Sequence, residues 1–363
     1  MELALYHPQY GYYAGRHVRI GAAGDFATSI SLGSDFGEIL GRQLVQMWQV
    51  LQQPIPFTIV EMGAGQGLLA LDILEYLRQQ VPELASIVDY VLIERTSARI
   101  AEQKHRLHPL IASGFQIRWQ SLSDIASESI VGCCLSNELV DALPVHRVTV
   151  QAGQLRELYV SIDTAGRLVE VVGDLSTPEL AHYFDRLGLN LLDGRYPEGY
   201  TTEVNLAAIA WLAEVARILR SGYVLTIDYG YPSERYYAPG RFEGTLQCYY
   251  RHAHHSDPYL NLGEQDMTAH VDFTTLQVVG EELGLTTIGL TKQALFLMAL
   301  GLGDRLAALS QSQATDGPTI QAMLQRREAL HALISPMGLG NFGVLMQSKH
   351  IENPAPLIGL EQG

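Results

Sequence analysis

The segment Thr58-Ile59-Val60-Glu61-Met62-Gly63-Ala64-Gly65-Gln66-Gly67 limits the possible folds of this chain more than any other. Its β-branched run predicts a strand, its alternate glycines a turn, and the spacing of apolar residues over Leu68–Arg78 an amphipathic helix. Gly63, Gly65 and Gly67 strip side chains from the turn, so a ligand can come close to the backbone. The helix behind the turn aims unpaired N–H groups at that ligand. This is a nucleotide-type site at the carboxyl end of a strand, as doubly wound α/β sheets build it.

The details of the turn select the nucleotide. A dinucleotide fingerprint needs a small residue where Leu68 stands, and the lysine of a phosphate-binding P-loop is absent. Glu61 sets a negative charge beside the turn. That disfavours a pyrophosphate and suits a cationic sulfonium that carries an ammonium group. The run Asp89-Tyr90-Val91-Leu92-Ile93-Glu94 predicts the next strand, and Glu94 at its end can accept both ribose hydroxyls. Its other reading is a surface residue opening the following helix. Glu61, Gly63, Gly65, Gly67 and Glu94 are therefore the candidate cofactor-binding residues. Glu-x-Gly-x-Gly-x-Gly resembles motif I of the Rossmann-like S-adenosylmethionine (SAM) methyltransferases.

Strands predicted at Phe57–Glu61, Tyr90–Glu94, Phe115–Trp119 and Ile130–Ser136 alternate with helices, which argues for a mostly parallel sheet covered on both faces. The expected organisation is an N-terminal arm and helix over residues 1–53. A SAM-binding core follows over 54–150, 201–232 and 273–350. A β-hairpin is inserted over 151–200, an irregular substrate lid over 233–272, and a tail over 351–363. The helix predicted at Leu206–Leu219 leads to a strand at Tyr223–Asp228. A hydrophobic content of 47% with 17% charged residues indicates a soluble globular chain. A formal net charge of −15 argues against nucleic acid as the partner and suits a basic substrate. The apolar stretch Ala294–Leu302 is too short to cross a membrane. Cys133, Cys134 and Cys248 form neither a disulfide framework nor a zinc spacing, so they are expected to be reduced, in a cytoplasmic protein without a targeting segment. The opening residues read as a helix ending at Pro8, which leaves room for a preceding segment.

A second constellation lies at the end of the fourth strand, in Asn137-Glu138-Leu139-Val140-Asp141-Ala142-Leu143-Pro144. Methyl transfer from a sulfonium is an in-line displacement, in which an enzyme mainly aligns the nucleophile. For a guanidinium nucleophile, paired carboxylates grip the planar fork and receive its proton. Asn137, Glu138 and Asp141 are the candidate catalytic residues. Glu138 and Asp141 share a face if the chain turns helically here, and Asn137 and Asp141 can equally be helix caps. Glu203 is a further candidate, or else decorates a helix start. The histidines at 252, 254, 255 and 270 lack helical metal-ligand spacing, so no metal is expected.

Taken together, these motifs resemble the MidA-like SAM-dependent methyltransferases, which include the mitochondrial complex I assembly factor that dimethylates an arginine. The likeness runs through Ala4-Leu5-Tyr6-His7-Pro8-Gln9-Tyr10-Gly11-Tyr12-Tyr13, Gly24-Asp25-Phe26-Ala27-Thr28, the glycine turn and the Asn137–Pro144 stretch. It continues through Ile227-Asp228-Tyr229-Gly230, Gly244-Thr245-Leu246 and Asp266-Met267-Thr268-Ala269-His270-Val271-Asp272-Phe273. The resemblance implies a Rossmann-like core, SAM as donor, and a protein arginine as acceptor. It also implies a link to assembly of a respiratory-type complex. An assembly factor that only binds SAM, and a small-molecule methyltransferase, are the alternatives. The chain departs from the family where Ser29-Ile30-Ser31 replaces a usual Pro-Glu pair after Thr28, and its arm begins later than usual.

Overall fold

The computed structural model describes residues 1–14, 28–251, 253–311, 315–351 and 356–361. The chain forms two compact units. One comprises Met1–Val18, Val140–Ala213 and Gly230–Leu283; the other comprises Arg19–Leu139, Glu214–Tyr229 and Gly284–Gly363.

The second of these units is built on a seven-stranded sheet. Its strands are β1 (Phe57–Met62), β2 (Val88–Ile93), β3 (Gln116–Gln120), β4 (Ile130–Asn137), β5 (Leu219–Asp228), β6 (Thr286–Lys292) and β7 (Gly343–Lys349). They lie in the order β3-β2-β1-β4-β5-β7-β6. The pairs from β3 to β5 are parallel, while β7 runs antiparallel to both its neighbours. The sequence patterns set this arrangement. All six residues of β1 are buried, as a strand covered on both faces requires. Phe57, Tyr90, Leu135, Leu225 and Met346 share one core with Phe36, Leu40 and Ile73 from helices. The helix Asp35–Val50 packs closely on the helix Leu68–Gln80. A Cβ at Gly41 would lie 2.5 Å from Tyr76 Cδ1, so only glycine permits that approach.

Between β1 and β4 the strand order turns back on itself, and the carboxyl ends of such neighbours form the crevice where these sheets hold ligands. The glycine turn follows β1, and Asn137-Glu138 ends β4. Both candidate groups of this unit are therefore placed by topology at one sheet edge.

The first unit holds antiparallel sheets that the sequence reveals only in part. The hairpin expected over 151–200 exists as Gln154–Ile162 paired with Leu168–Gly173. It is one half of a four-stranded sheet completed by His146–Gln151 and Thr201–Val204. The stretch expected to be irregular, 233–272, contains a three-stranded sheet of Ala253–His255, Gln247–Tyr250 and Asp266–Thr268. These strands are too short to show a period of two. Val148, Tyr183, Phe184, Tyr200, Tyr236 and Tyr237 form this unit's own core.

Among the described residues no single helix is long and apolar enough to cross a membrane. The apolar stretch near 294–302 is split between the helices Gln293–Ala299 and Leu302–Ser310, bent by 70°. Cys133, Cys134 and Cys248 are buried free thiols.

Candidate active site

Every glycine of the turn takes a backbone conformation that side chains oppose. The φ angles are +72° at Gly63, +51° at Gly65 and +75° at Gly67. Gly67 is also the left-handed residue that opens the helix Leu68–Gln80. Gly63 donates to the Ile93 carbonyl at 3.0 Å, and Gly67 to the Ala64 carbonyl at 2.7 Å. A Cβ on Gly63 would meet Leu139 Cδ1 at 2.8 Å, and one on Gly67 would lie 3.2 Å from Gln103 Cγ. The turn is thus pinned to β2, packed beneath by Leu139, and bare on its surface.

The expectation that Glu61 sets an open negative charge beside the turn is corrected. Glu61 is 3% exposed, and its Oε2 accepts the Tyr90 hydroxyl at 2.8 Å. Burial pushes its carboxyl up to about 8, against the Tyr90 bond and aided by the charges of Glu94 and Asp72. Its pKa rises from 4.5 to about 8 on folding, so between those values the folded chain keeps a proton that the unfolded chain releases. This contribution to stability is fully present below 4.5 and is lost as pH rises through about 8. Glu61→Gln, which stays neutral, is expected to lose less of its urea midpoint than the wild type between about pH 5 and about pH 8. Equal losses in the two proteins would remove Glu61 from the titration.

Glu94 follows β2 and is tied to the turn through a residue that sequence reading missed. Its Oε1 accepts the Thr96 N–H at 2.9 Å, and its Oε2 accepts Gln103 Nε2 at 3.3 Å. Gln103 Nε2 also donates to the Gly65 carbonyl at 2.8 Å, while its Oε1 accepts Trp119 Nε1 at 2.8 Å. Gln103 is fully buried on the helix Ser97–Ala112. The only signal in the sequence is an amide at a core-facing helical position. Burial raises the Glu94 carboxyl above its ordinary value despite these bonds. A carboxylate has about four lone-pair sites, so Glu94 retains capacity for ribose hydroxyls.

At the end of β4, Glu138 has φ +51°, which is rare for a residue with a side chain. Such strain costs about 1–3 kcal/mol and clusters at functional positions. Glu138 Oε1 accepts Asn137 Nδ2 at 3.0 Å and the Ser29 N–H at 3.2 Å. Ser29, which stands in the stretch where the chain departs from its resemblance, therefore helps to orient Glu138. Asn137 is 9% exposed, and among the described residues its buried Oδ1 has no hydrogen-bond partner. The Gly24–Ala27 part of the same motif lies outside the described residues.

No helix follows β4. The chain passes through turns and bends to the strand His146–Gln151. The expected helical pairing of Glu138 with Asp141, and the alternative capping by Asn137 or Asp141, are both corrected. The left-handed backbone at Glu138 diverts the chain from a helical path, and Pro144 disfavours helix in the residue before it. Asp141 is 5% exposed, and its carbonyl accepts the Ala269 N–H at 2.9 Å. The Tyr13 hydroxyl donates to Asp266 Oδ1 at 2.9 Å, and the Tyr6 and Tyr13 rings stack 5.4 Å apart. Burial holds the Tyr13 phenol well above its usual range, with the charges of Asp266 and Asp141 among the groups adding to it. Glu203 is not a helix-start residue. Asn205 Oδ1 caps the next helix by accepting the Ala208 N–H at 2.8 Å. Glu203 instead accepts the N–H and hydroxyl of Thr245 at 2.8 and 2.9 Å. Among the described residues no group of three or more His, Cys, Asp or Glu is placed to hold a metal.

The residues of the sheet edge fit SAM. The turn has left-handed glycines, of which Gly63 and Gly67 leave little room for a side chain, Glu94 has acceptor capacity for a ribose, and Glu61 can ionise in answer to a cation. A doubly wound sheet with this cradle after β1 and a carboxylate after β2 defines a Rossmann-like, SAM-binding transferase domain. The model of the family described as "Putative S-adenosyl-L-methionine-dependent methyltransferase" matches residues 39–291, and the chain belongs to that family. It is a SAM-dependent methyltransferase.

Protein arginine methyltransferase NDUFAF7 homolog, mitochondrial, of Drosophila melanogaster is 30% identical over 333 residues, which cover 85% of this chain and 72% of the relative. Protein arginine methyltransferase NDUFAF7, mitochondrial, of Rattus norvegicus is 30% identical over 363 residues, covering 94% and 77%. A crystal structure of a Burkholderia thailandensis protein bound to S-adenosyl-homocysteine superposes with a TM-score of 0.86 at 33% identity. That match covers 100% of this chain and 89% of the other. The mitochondrial relatives overturn the expectation of a cytoplasmic protein. Reduced cysteines separate reducing from oxidising surroundings and do not tell one reducing compartment from another.

Proposed function

We propose that the acceptor is an arginine side chain of a protein and that the methylation serves assembly of a respiratory-type complex. The observation that carries this reading is the similarity, over most of the chain, to relatives that are protein arginine methyltransferases. The chemistry at the end of β4 supports it. SAM, when bound, supplies an electrophilic methyl group on a sulfonium. Glu138, with Oε1 fixed by Ser29 and Asn137, is assigned to grip the guanidinium and take the proton that the nitrogen loses. Asn137 is assigned to orient Glu138. Asp141, three residues further along the chain, is the second carboxylate for the acceptor. Gly63, Gly65 and Gly67 hold the cofactor and Glu94 its ribose, while Glu61, buried against Tyr90, is assigned to ionise only when the cation binds.

The test is mass spectrometry of proteins captured by the tagged chain, from cells carrying the wild-type gene or a deletion. The expected result is a methylated arginine in a captured protein that disappears on deletion and reappears with purified enzyme and labelled SAM. Label on a small molecule, or full biological function with Glu138→Gln, would contradict the reading.

A further inference from the structure

We propose that Arg235 and Arg241, both packed on the Tyr231 ring, form a binding site for a carboxylate-rich stretch of the protein acceptor. The inference rests on the acceptor being a protein. Arg235 Cζ lies 4.2 Å from the Tyr231 ring centroid, and Arg241 Cζ lies 4.6 Å from it. Among the described residues neither guanidinium makes a hydrogen bond or an ion pair. Other arginines of the same unit do pair with carboxylates: Arg147 with Glu170, Arg156 with Asp174, Arg167 with Asp163, Arg186 with Glu282 and Arg195 with Asp193. The chain has 39 acidic residues against 24 basic ones, so unpaired guanidiniums are not forced by a shortage of acids.

The platform beneath them is fixed. Tyr231 lies on the short strand Gly230–Tyr231, which pairs with Val271–Asp272. The His270 ring meets Tyr231 edge-on at 5.2 Å, and the His270 N–H donates to Thr245 Oγ1 at 3.1 Å. Burial and the two guanidinium charges hold His270 down to about 4, so it stays neutral at physiological pH. A stacked guanidinium keeps its N–H edge for acceptors and loses little further freedom when it binds one. Two like charges gathered on one ring repel, and a segment that brings carboxylates to both relieves that repulsion while accepting charge-assisted bonds. Arg235 is exposed and Arg241 half-buried, so an extended acidic segment can reach them.

Fluorescein-labelled octaglutamate, followed by anisotropy on the full chain, tests the proposal. The net charge of −15 opposes non-specific binding of this probe. The expected result is saturable binding that weakens with salt and falls at least about 10-fold in Arg235→Gln/Arg241→Gln. Arg235→Lys/Arg241→Lys keeps the charge but loses the stacked planar fork, and is expected to bind more weakly than the wild type and at least about 3-fold more tightly than the glutamine variant. SAM affinity, measured by calorimetry, is expected to stay within about 2-fold in both variants. No binding by the wild type, equal binding by the glutamine variant, or equal loss in both variants would overturn the proposal. A parallel loss of SAM affinity would also overturn it, assigning the arginines to the cofactor's carboxylate. If the wild type methylates a protein arginine yet ignores octaglutamate, this inference falls and the functional reading stands.

Discussion

Gly63→Val is expected to reduce methyl transfer at least about 100-fold, a change of about 2.7 kcal/mol in transition-state stabilisation. Two effects combine. A β-branched residue at φ +72° is forced into a left-handed backbone, which costs about 1–2 kcal/mol. Its Cβ also arrives 2.8 Å from Leu139 Cδ1, so the turn, Leu139 or both must shift. On the proposed assignment the turn is where the ligand touches backbone, so the displacement would fall on cofactor binding itself. Calorimetry should show SAM affinity lost with activity, while the urea midpoint still reports a folded chain. Undiminished SAM affinity in this variant would place the cofactor elsewhere.

Glu138→Gln is expected to lower kcat about 100- to 10,000-fold, the usual range for removing a general acid or base. SAM affinity should change less than about 3-fold, since the cradle is left alone. Glutamine can still accept from Ser29 and Asn137, so the loss would report the missing charge. Glu138→Gly is the companion variant. It removes the carboxylate and also the strain at φ +51°. It should therefore unfold at the same or higher urea concentration than the wild type while being equally inactive. A protein made more stable and less active by one change marks a position held in strain for function. A glycine variant that is active, or strongly destabilised, would make Glu138 structural. Initial rates with labelled SAM and urea titrations decide between these outcomes.

What could be read from the sequence was the chemistry that is local. The turn announces itself because its three glycines and the strand before it are contiguous, and β1, β2 and β4 because their apolar runs are. Glu94 was legible as the acid after the second strand. Gln103 was not, because its partners Gly65, Glu94 and Trp119 are brought together from separate elements by folding. The orientation of Glu138 by Ser29 joins residues 109 positions apart. Its left-handed backbone has no signature in a stretch that otherwise reads as the start of a helix. The four-stranded sheet escaped for the same reason, since Thr201–Val204 pairs with His146–Gln151 across the whole hairpin. The charge on Glu61 was misread because sequence shows a carboxyl near the turn but not that its side chain points inward to Tyr90.

A crystal structure of the chain grown with S-adenosyl-homocysteine is the most direct measurement. The ligand should lie over Gly63–Gly67 with a ribose hydroxyl in hydrogen-bond reach of Glu94. A ligand bound away from that turn, or a turn closed over by the chain's own side chains at saturating ligand, would contradict the assignment of this sheet edge to the methyl donor.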